Sequence, residues 1–269
     1  MAVITYHTMI SGCQKGEREA WGEFARRVSP YAIFILEHSF PELAQESSGH
    51  LDRIFAQMRE GDFFSAFQGR REREFLMHFR GRVWDYGLGM TPVPETPLDR
   101  ELLEKVTDGF SMTQQQILWM NLQGVGAPTA AAVLLVDAAT IVEVLKKTNT
   151  NLRALLDRWS ASTLAESGRS LVRAARGWSG SDCLGDHVFG KMIDGQTSWQ
   201  DREKIERHVR SCFYCVDRYT ACREVVYCLR KLPLAEEKDV SRILAAVGIH
   251  AEEKKKGLLS KLFSKSHAV

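Results

Sequence analysis

The sequence has no long apolar run. Its longest, Ala130 to Val136, is stopped by Asp137, whereas a membrane-spanning helix needs about 20 such residues. Met1–His7 holds no basic region leading into an apolar one, so no signal peptide is expected. Net charge is small. Lys+Arg number 36 and Asp+Glu 34, leaving +2. That excludes a uniformly basic nucleic-acid binder while leaving room for a local basic patch. Strand signals are scarce, and no internal repeat or low-complexity tract is present. The chain also lacks a glycine-rich phosphate loop, a zinc-protease helix motif and a nucleophile–base pairing, so no enzyme and no small-molecule substrate are expected.

What remains is a folding chain with helical periodicity. Hydrophobic residues make up 44% of 269 and charged residues 26%, enough apolar content to build a core and oppose wholesale disorder. The pattern predicts an all-α protein. Apolar residues recur from Gly16 to His38, with Pro30 interrupting, then over Leu51–Met58 and Arg73–Tyr86. Residues 91–98 read as a proline-rich linker, with Thr96 as cap and Pro97 opening the next helix. Ser111 to Gln114 has capping-box form. Residues 113–156 then read as helix, turn, short helix, turn, longer helix. The Ser/Gly content of 160–182 reads as a second linker, with Leu171–Arg176 as a candidate helix within it. The expected units are 1–90, 99–159 and 183–235, followed by a tail over 236–269.

The six cysteines are unevenly placed: Cys13 stands alone and five lie between Cys183 and Cys228. With a cytoplasmic location expected, clustered thiols point to metal before disulfide. The core motif is His208, Cys212 and Cys215, spaced i, i+4 and i+7 on a helix expected to run from Asp201 to Cys215. Thiolate and imidazole suit one Zn²⁺, which takes four tetrahedral ligands. Cys183 is the candidate for the fourth, with His187 as the alternative. Four protein ligands leave no open position, so the zinc would be structural. Cys222 and Cys228 lie among apolar residues of the following helix and read as core.

Cys183-x24-His208-x3-Cys212-x2-Cys215, with Asp194-Gly195 between, resembles the zinc-binding anti-sigma domain of bacterial regulators of extracytoplasmic-function sigma factors. The preceding residues are similar to sigma-70 family proteins: Gly16–Phe40, Leu51–Met58, Phe63–Phe67 and Arg70–Tyr86 to region 2, and Thr113–Leu156 to a region 4 helix-turn-helix. The resemblance implies that the first unit binds RNA polymerase core and the −10 promoter element. The second would place its second helix at the −35 element, and the zinc domain would contact both in cis. A tethered partner sees an effective concentration of about millimolar order, so weak contacts suffice to hold it.

The expected DNA contacts are Arg70, Arg71, Arg73, Arg80 and Arg82 in the first unit. Phe75, Phe79, Trp84 and Tyr86 interleave with them, either stacking on bases or packing in the core. In the second unit the candidates are Thr140, Lys146, Lys147, Asn151 and Arg153. This helix carries Glu143 and less arginine than the family usually shows. The alternative is therefore a sigma-like interaction protein that binds a sigma factor, polymerase or signalling partner without reading DNA. Lysines and leucines alternate over Lys254–Lys265, a pattern that fits a solvated tail better than membrane contact.

Overall fold

The computed structural model describes residues 5–67, 69, 71–92, 98–156 and 161–250, with backbone only for 161–166. Arg70, Thr96, Pro97 and the tail from 251 lie outside the described residues. Among those described the architecture is all-α, with no strand.

The first helices are α1 (Tyr6–Gln14), α2 (Arg18–Ser39), α3 (Ser47–Glu60), α4 (Phe63–Ala66) and α5 (Glu72–Met90). They close around Phe24, whose ring lies 5.3 to 6.3 Å from those of Trp21, Phe55, Phe63, Phe64, Phe75 and Phe79. Phe75, Phe79 and Trp84 are fully buried, which removes them as platforms for bases. Helix α2 runs through Pro30 without stopping. Proline has no N–H for the carbonyl four residues back. That carbonyl, on Arg26, instead accepts from the N–H of Ala235 at 3.0 Å. A residue near the C-terminal end thus repairs a helix near the N-terminal end.

Next come α6 (Arg100–Val106), α7 (Met112–Leu122), α8 (Ala127–Leu134) and α9 (Ala138–Leu155). The cap of α6 is Asp99, whose side chain accepts from Leu102 N–H, rather than the expected Thr96. The Ser111–Gln114 capping box forms as read. Three residues join α8 to α9, and the two helices are bent by 113°, within the range of helix-turn-helix units. Leu135 makes that turn in the left-handed conformation, φ 58°, and is 87% exposed. A small core of Phe110, Ile117, Met120, Val133, Ile141 and Val144 holds these helices together.

In place of the linker expected over 160–182 the chain forms α10 (Ala161–Arg176), which packs on α7. Leu171, Val172 and Ala175 bury one face of it. A Cβ at Gly168 would stand 2.0 Å from the Leu122 carbonyl, so only glycine allows this approach. Gly124, φ 81°, sits in the α7–α8 turn, where a Cβ would meet the His38 carbonyl at 2.2 Å. The first and second helical groups therefore touch backbone to backbone.

The remaining helices are α11 (Asp186–Ile193), α12 (Trp199–Ser211), α13 (Phe213–Lys231) and α14 (Glu237–Ala246). Helix α14 returns to pack on α2 and α3. Helix α13 contacts α5, α7, α8, α10, α11 and α12. One contiguous core runs from Met9 to Ile249 and includes residues from all these groups. No single helix among the described residues is long and apolar enough to cross a membrane.

Candidate metal centre

Cys183, His208, Cys212 and Cys215 come together at the start of α13, with one donor atom from each lying within 4.8 Å of the others. The group can hold one metal ion, and three sulfurs with one imidazole are compatible with zinc. The sulfurs of Cys183 and Cys212 are 3.7 Å apart. Two thiolates on a tetrahedral zinc, each about 2.3 Å from the ion, stand about 3.8 Å apart. His208 Nε2 is 3.1 Å from Cys215 Sγ, and a bound zinc would open this to about 3.6 Å. The exposed His187 is outside the group.

The helix, or near-helix, expected over Asp201 to Cys215 forms with one break. Helix α12 stops at Ser211, and Cys212 is extended at φ −138°, ψ 101°. In an unbroken helix residues 208 and 215 would be about 10 Å apart along the axis, too far to share an ion. The kink at Cys212 brings Cys215 back against His208. Backbone amides then orient two of the sulfurs. Gly180 N–H donates to Cys183 Sγ at 3.2 Å and Leu184 N–H to Cys215 Sγ at 3.4 Å. Burial raises the thiol pKa of Cys212 and of Cys215, so metal binding must displace their protons.

The residues just after the ligands grip the rest of the molecule. Phe213 stacks on Trp119 of α7, ring centres 6.0 Å apart, and meets Trp178 edge-on at 6.1 Å. Asp217, 2% exposed, accepts from Trp119 Nε1 at 2.9 Å and from Gln123 Nε2 at 3.0 Å. Two turns on, Glu224 accepts from Arg80 at 3.0 and 3.2 Å and from Tyr31 Oη at 2.8 Å. Burial and the Glu224 carboxylate raise the Tyr31 pKa well above its usual value, keeping the phenol protonated to donate. Arg80 and Arg176 both lie over the Trp84 ring, at 5.3 and 5.4 Å. Helix α13 is thus bolted by carboxylates to α2 and α5 at one level and to α7 at another.

This arrangement corrects one DNA-contact expectation outright: Arg80 is 2% exposed and faces Glu224, not solvent. Arg73 forms a two-pronged pair with Asp194, nearest 2.8 Å, and Arg82 pairs with Asp62 at 2.7 Å. Arg71 is exposed at the start of α5. On α9, Lys146 and Arg153 are exposed and Thr140 is half-buried. Lys147 Nζ sits 4.6 Å above the Phe110 ring, and Asn151 donates to the Val106 carbonyl at 2.8 Å. Sequence reasoning missed Asp217, Glu224, Tyr31 and Trp119. The two acids are seven apart on a helix rich in Val and Cys, a spacing that puts both on one face. A buried acid needs a partner, and that was the available signal.

No protein-family model, no curated protein and no solved structure matches the chain.

Proposed function

We propose that the chain is a cytoplasmic, non-enzymatic transcription regulator of the sigma-factor type, held closed in cis by a unit carrying one structural zinc. In this reading α1–α5 form the region 2-like part, α6–α9 the region 4-like part, and α11–α13 the anti-sigma-like part. RNA polymerase core and promoter DNA are its partners. The observation that carries it is the double attachment of α13: Glu224 to Arg80 and Tyr31 on one side, Asp217 to Trp119 and Gln123 on the other.

Size supports a closed form. Elements named for positions 10 and 35 lie roughly 85 Å apart along B-DNA at about 3.4 Å per base pair. A compact chain of 269 residues has a radius of gyration of about 18 Å. Packed together as here, the two parts cannot read both elements at once. Opening requires α13 to let go of one side. The zinc ties that release to the metal centre, because Phe213 lies between two of its ligands in sequence and packs on Trp119.

Promoter-specific transcription by purified core polymerase tests this reading. Asp217→Asn and Glu224→Gln should stimulate more than the parent chain. No stimulation by any of them, with metal present or chelated, rejects sigma activity.

The alternative, a sigma-like protein that binds a protein partner and not DNA, has its own observation. Val142 is 60% exposed on α9 beside Glu143, an apolar and acidic face that suits protein better than phosphate. Alanine at Lys146, Lys147 and Arg153 together abolishes promoter binding under the first reading and leaves function unchanged under the second.

A further inference from the structure

Where the α8–α9 turn meets the last turns of α13, the surface holds a cavity of about 310 Å³. Four cations line it, Arg202, Arg223, Arg230 and Lys231, and no carboxylate does. The nearest compensation is partial. Arg202 pairs with Glu206 at 2.8 Å, and Asp194, whose carboxyl is bound to Arg73, also feels Arg230. Arg223 donates from Nη1 to the Leu134 carbonyl at 2.9 Å and lies 5.4 Å from the Tyr219 ring centre. Its Nε is buried with no acceptor, so the guanidinium is held in place yet short of acceptors. The opposite wall is apolar: Val133, Leu135, Met192 and Ile193. Leu135 reaches this wall from a left-handed backbone, a conformation that costs a non-glycine residue about 1–2 kcal/mol. Glycine there would avoid that cost and remove the wall.

We propose that this cavity binds a small organic phosphate, with its phosphate oxygens on the arginines and its non-polar body against Leu135, Met192 and Ile193. Guanidinium forks match phosphate geometry. The volume lies in the range of small-ligand sites, which combine apolar walls with a few polar anchors. The site joins the turn before α9 to α13, so an occupant ties the helix-turn-helix to the metal-bearing unit. Binding itself does not depend on whether α9 reads DNA.

The test is calorimetric titration of the zinc-loaded full chain with inorganic phosphate, pyrophosphate, ATP and GTP, each to about 1 mM, the weak end of specific affinity, and separately with a short DNA duplex. The expected result is one saturable site for a nucleotide, at least tenfold tighter than inorganic phosphate. Arg230→Glu with Lys231→Glu should weaken it at least tenfold; both residues are exposed, so the fold survives. Lys15→Glu, on the exposed end of α1, should leave it unchanged. Leu135→Gly should weaken the nucleotide and not inorganic phosphate. Absence of saturable binding overturns the proposal, as does equal weakening by Lys15→Glu, which marks a non-specific charge effect. It is also overturned if the Arg230/Lys231 variant loses affinity only for duplex DNA, which would make these cations contacts to the DNA backbone.

Discussion

Arg80 of α5 and Glu224 of α13 form a two-pronged ion pair in which each side chain is only 3% exposed. Burial disfavours the charged guanidinium, but the Glu224 carboxylate and its neighbours outweigh this, and the Arg80 pKa ends raised. Removing one partner leaves the other charge buried. Glu224→Ala should therefore cost about 3–5 kcal/mol in denaturant unfolding, whereas Arg80→Met combined with Glu224→Leu should recover most of that loss. A double variant no more stable than the single one would show that the pair is not the source of the cost.

Metal loss should be felt at a distance. Cys212 and Cys215 flank Phe213, which packs on Trp119, and Trp119 donates to Asp217. Chelation, or Cys212→Ser, should release one zinc per chain and shift tryptophan emission to the red. A site of this kind contributes about 10–16 kcal/mol of apparent binding free energy. An emission spectrum unchanged after complete metal removal would separate the metal centre from the α7–α13 contact.

Two glycines with the same backbone sign should respond differently to alanine. Gly109, φ 68°, has open space around a Cβ, so Gly109→Ala should cost only about 1–2 kcal/mol of left-handed strain. Gly124, φ 81°, adds a contact at 2.2 Å with the His38 carbonyl. With overpacking of about 1–3 kcal/mol on top of strain, Gly124→Ala should cost clearly more. Equal losses in a thermal melt would contradict the close approach of the α7–α8 turn to α2.

Acid should weaken the fold through two histidines. Burial lowers the pKa of His50, which is bonded to Tyr86 Oη at 2.7 Å, and Arg53 adds to this. Burial also lowers that of His78, bonded to the Phe63 carbonyl at 3.1 Å. Each is depressed below the unfolded value of about 6.5. Their contribution is therefore fully present above that pH and is lost as pH falls through the folded value. Denaturant midpoints should drop as pH falls below about 6.5, and His50→Gln with His78→Gln should flatten the drop. An identical slope in the double variant would assign the acid sensitivity elsewhere.

Much of this was readable from residue pattern, and the exceptions have physical causes. The all-α class, the Ser111 cap and the four metal donors followed from periodicity and spacing. The break at Cys212 did not, although helix rise requires one for His208 and Cys215 to share an ion: seven residues advance about 10 Å. The 160–182 stretch read as linker because it is rich in Ser and Gly, with only Leu171–Arg176 as a candidate helix, yet the helix begins at Ala161; Leu171, Val172 and Ala175 anchor it, and Gly168 serves close packing. Arg80 was grouped with solvent-facing arginines by composition. Its position four residues from both Leu76 and Trp84 placed it on the apolar stripe of α5. Its partner, 144 residues away, is a tertiary fact that no local pattern encodes.

We propose that α13 clamps the groups α1–α5 and α6–α9 and can release them. A pulsed electron-resonance distance between genetically encoded spin labels at the exposed positions Arg53 on α3 and Thr150 on α9 tests it most directly. The zinc-loaded parent chain should give one narrow distance, and Asp217→Asn or metal removal should add a longer, broader population while helicity is kept. One unchanged distance in all three states, with helicity intact, would contradict the clamp.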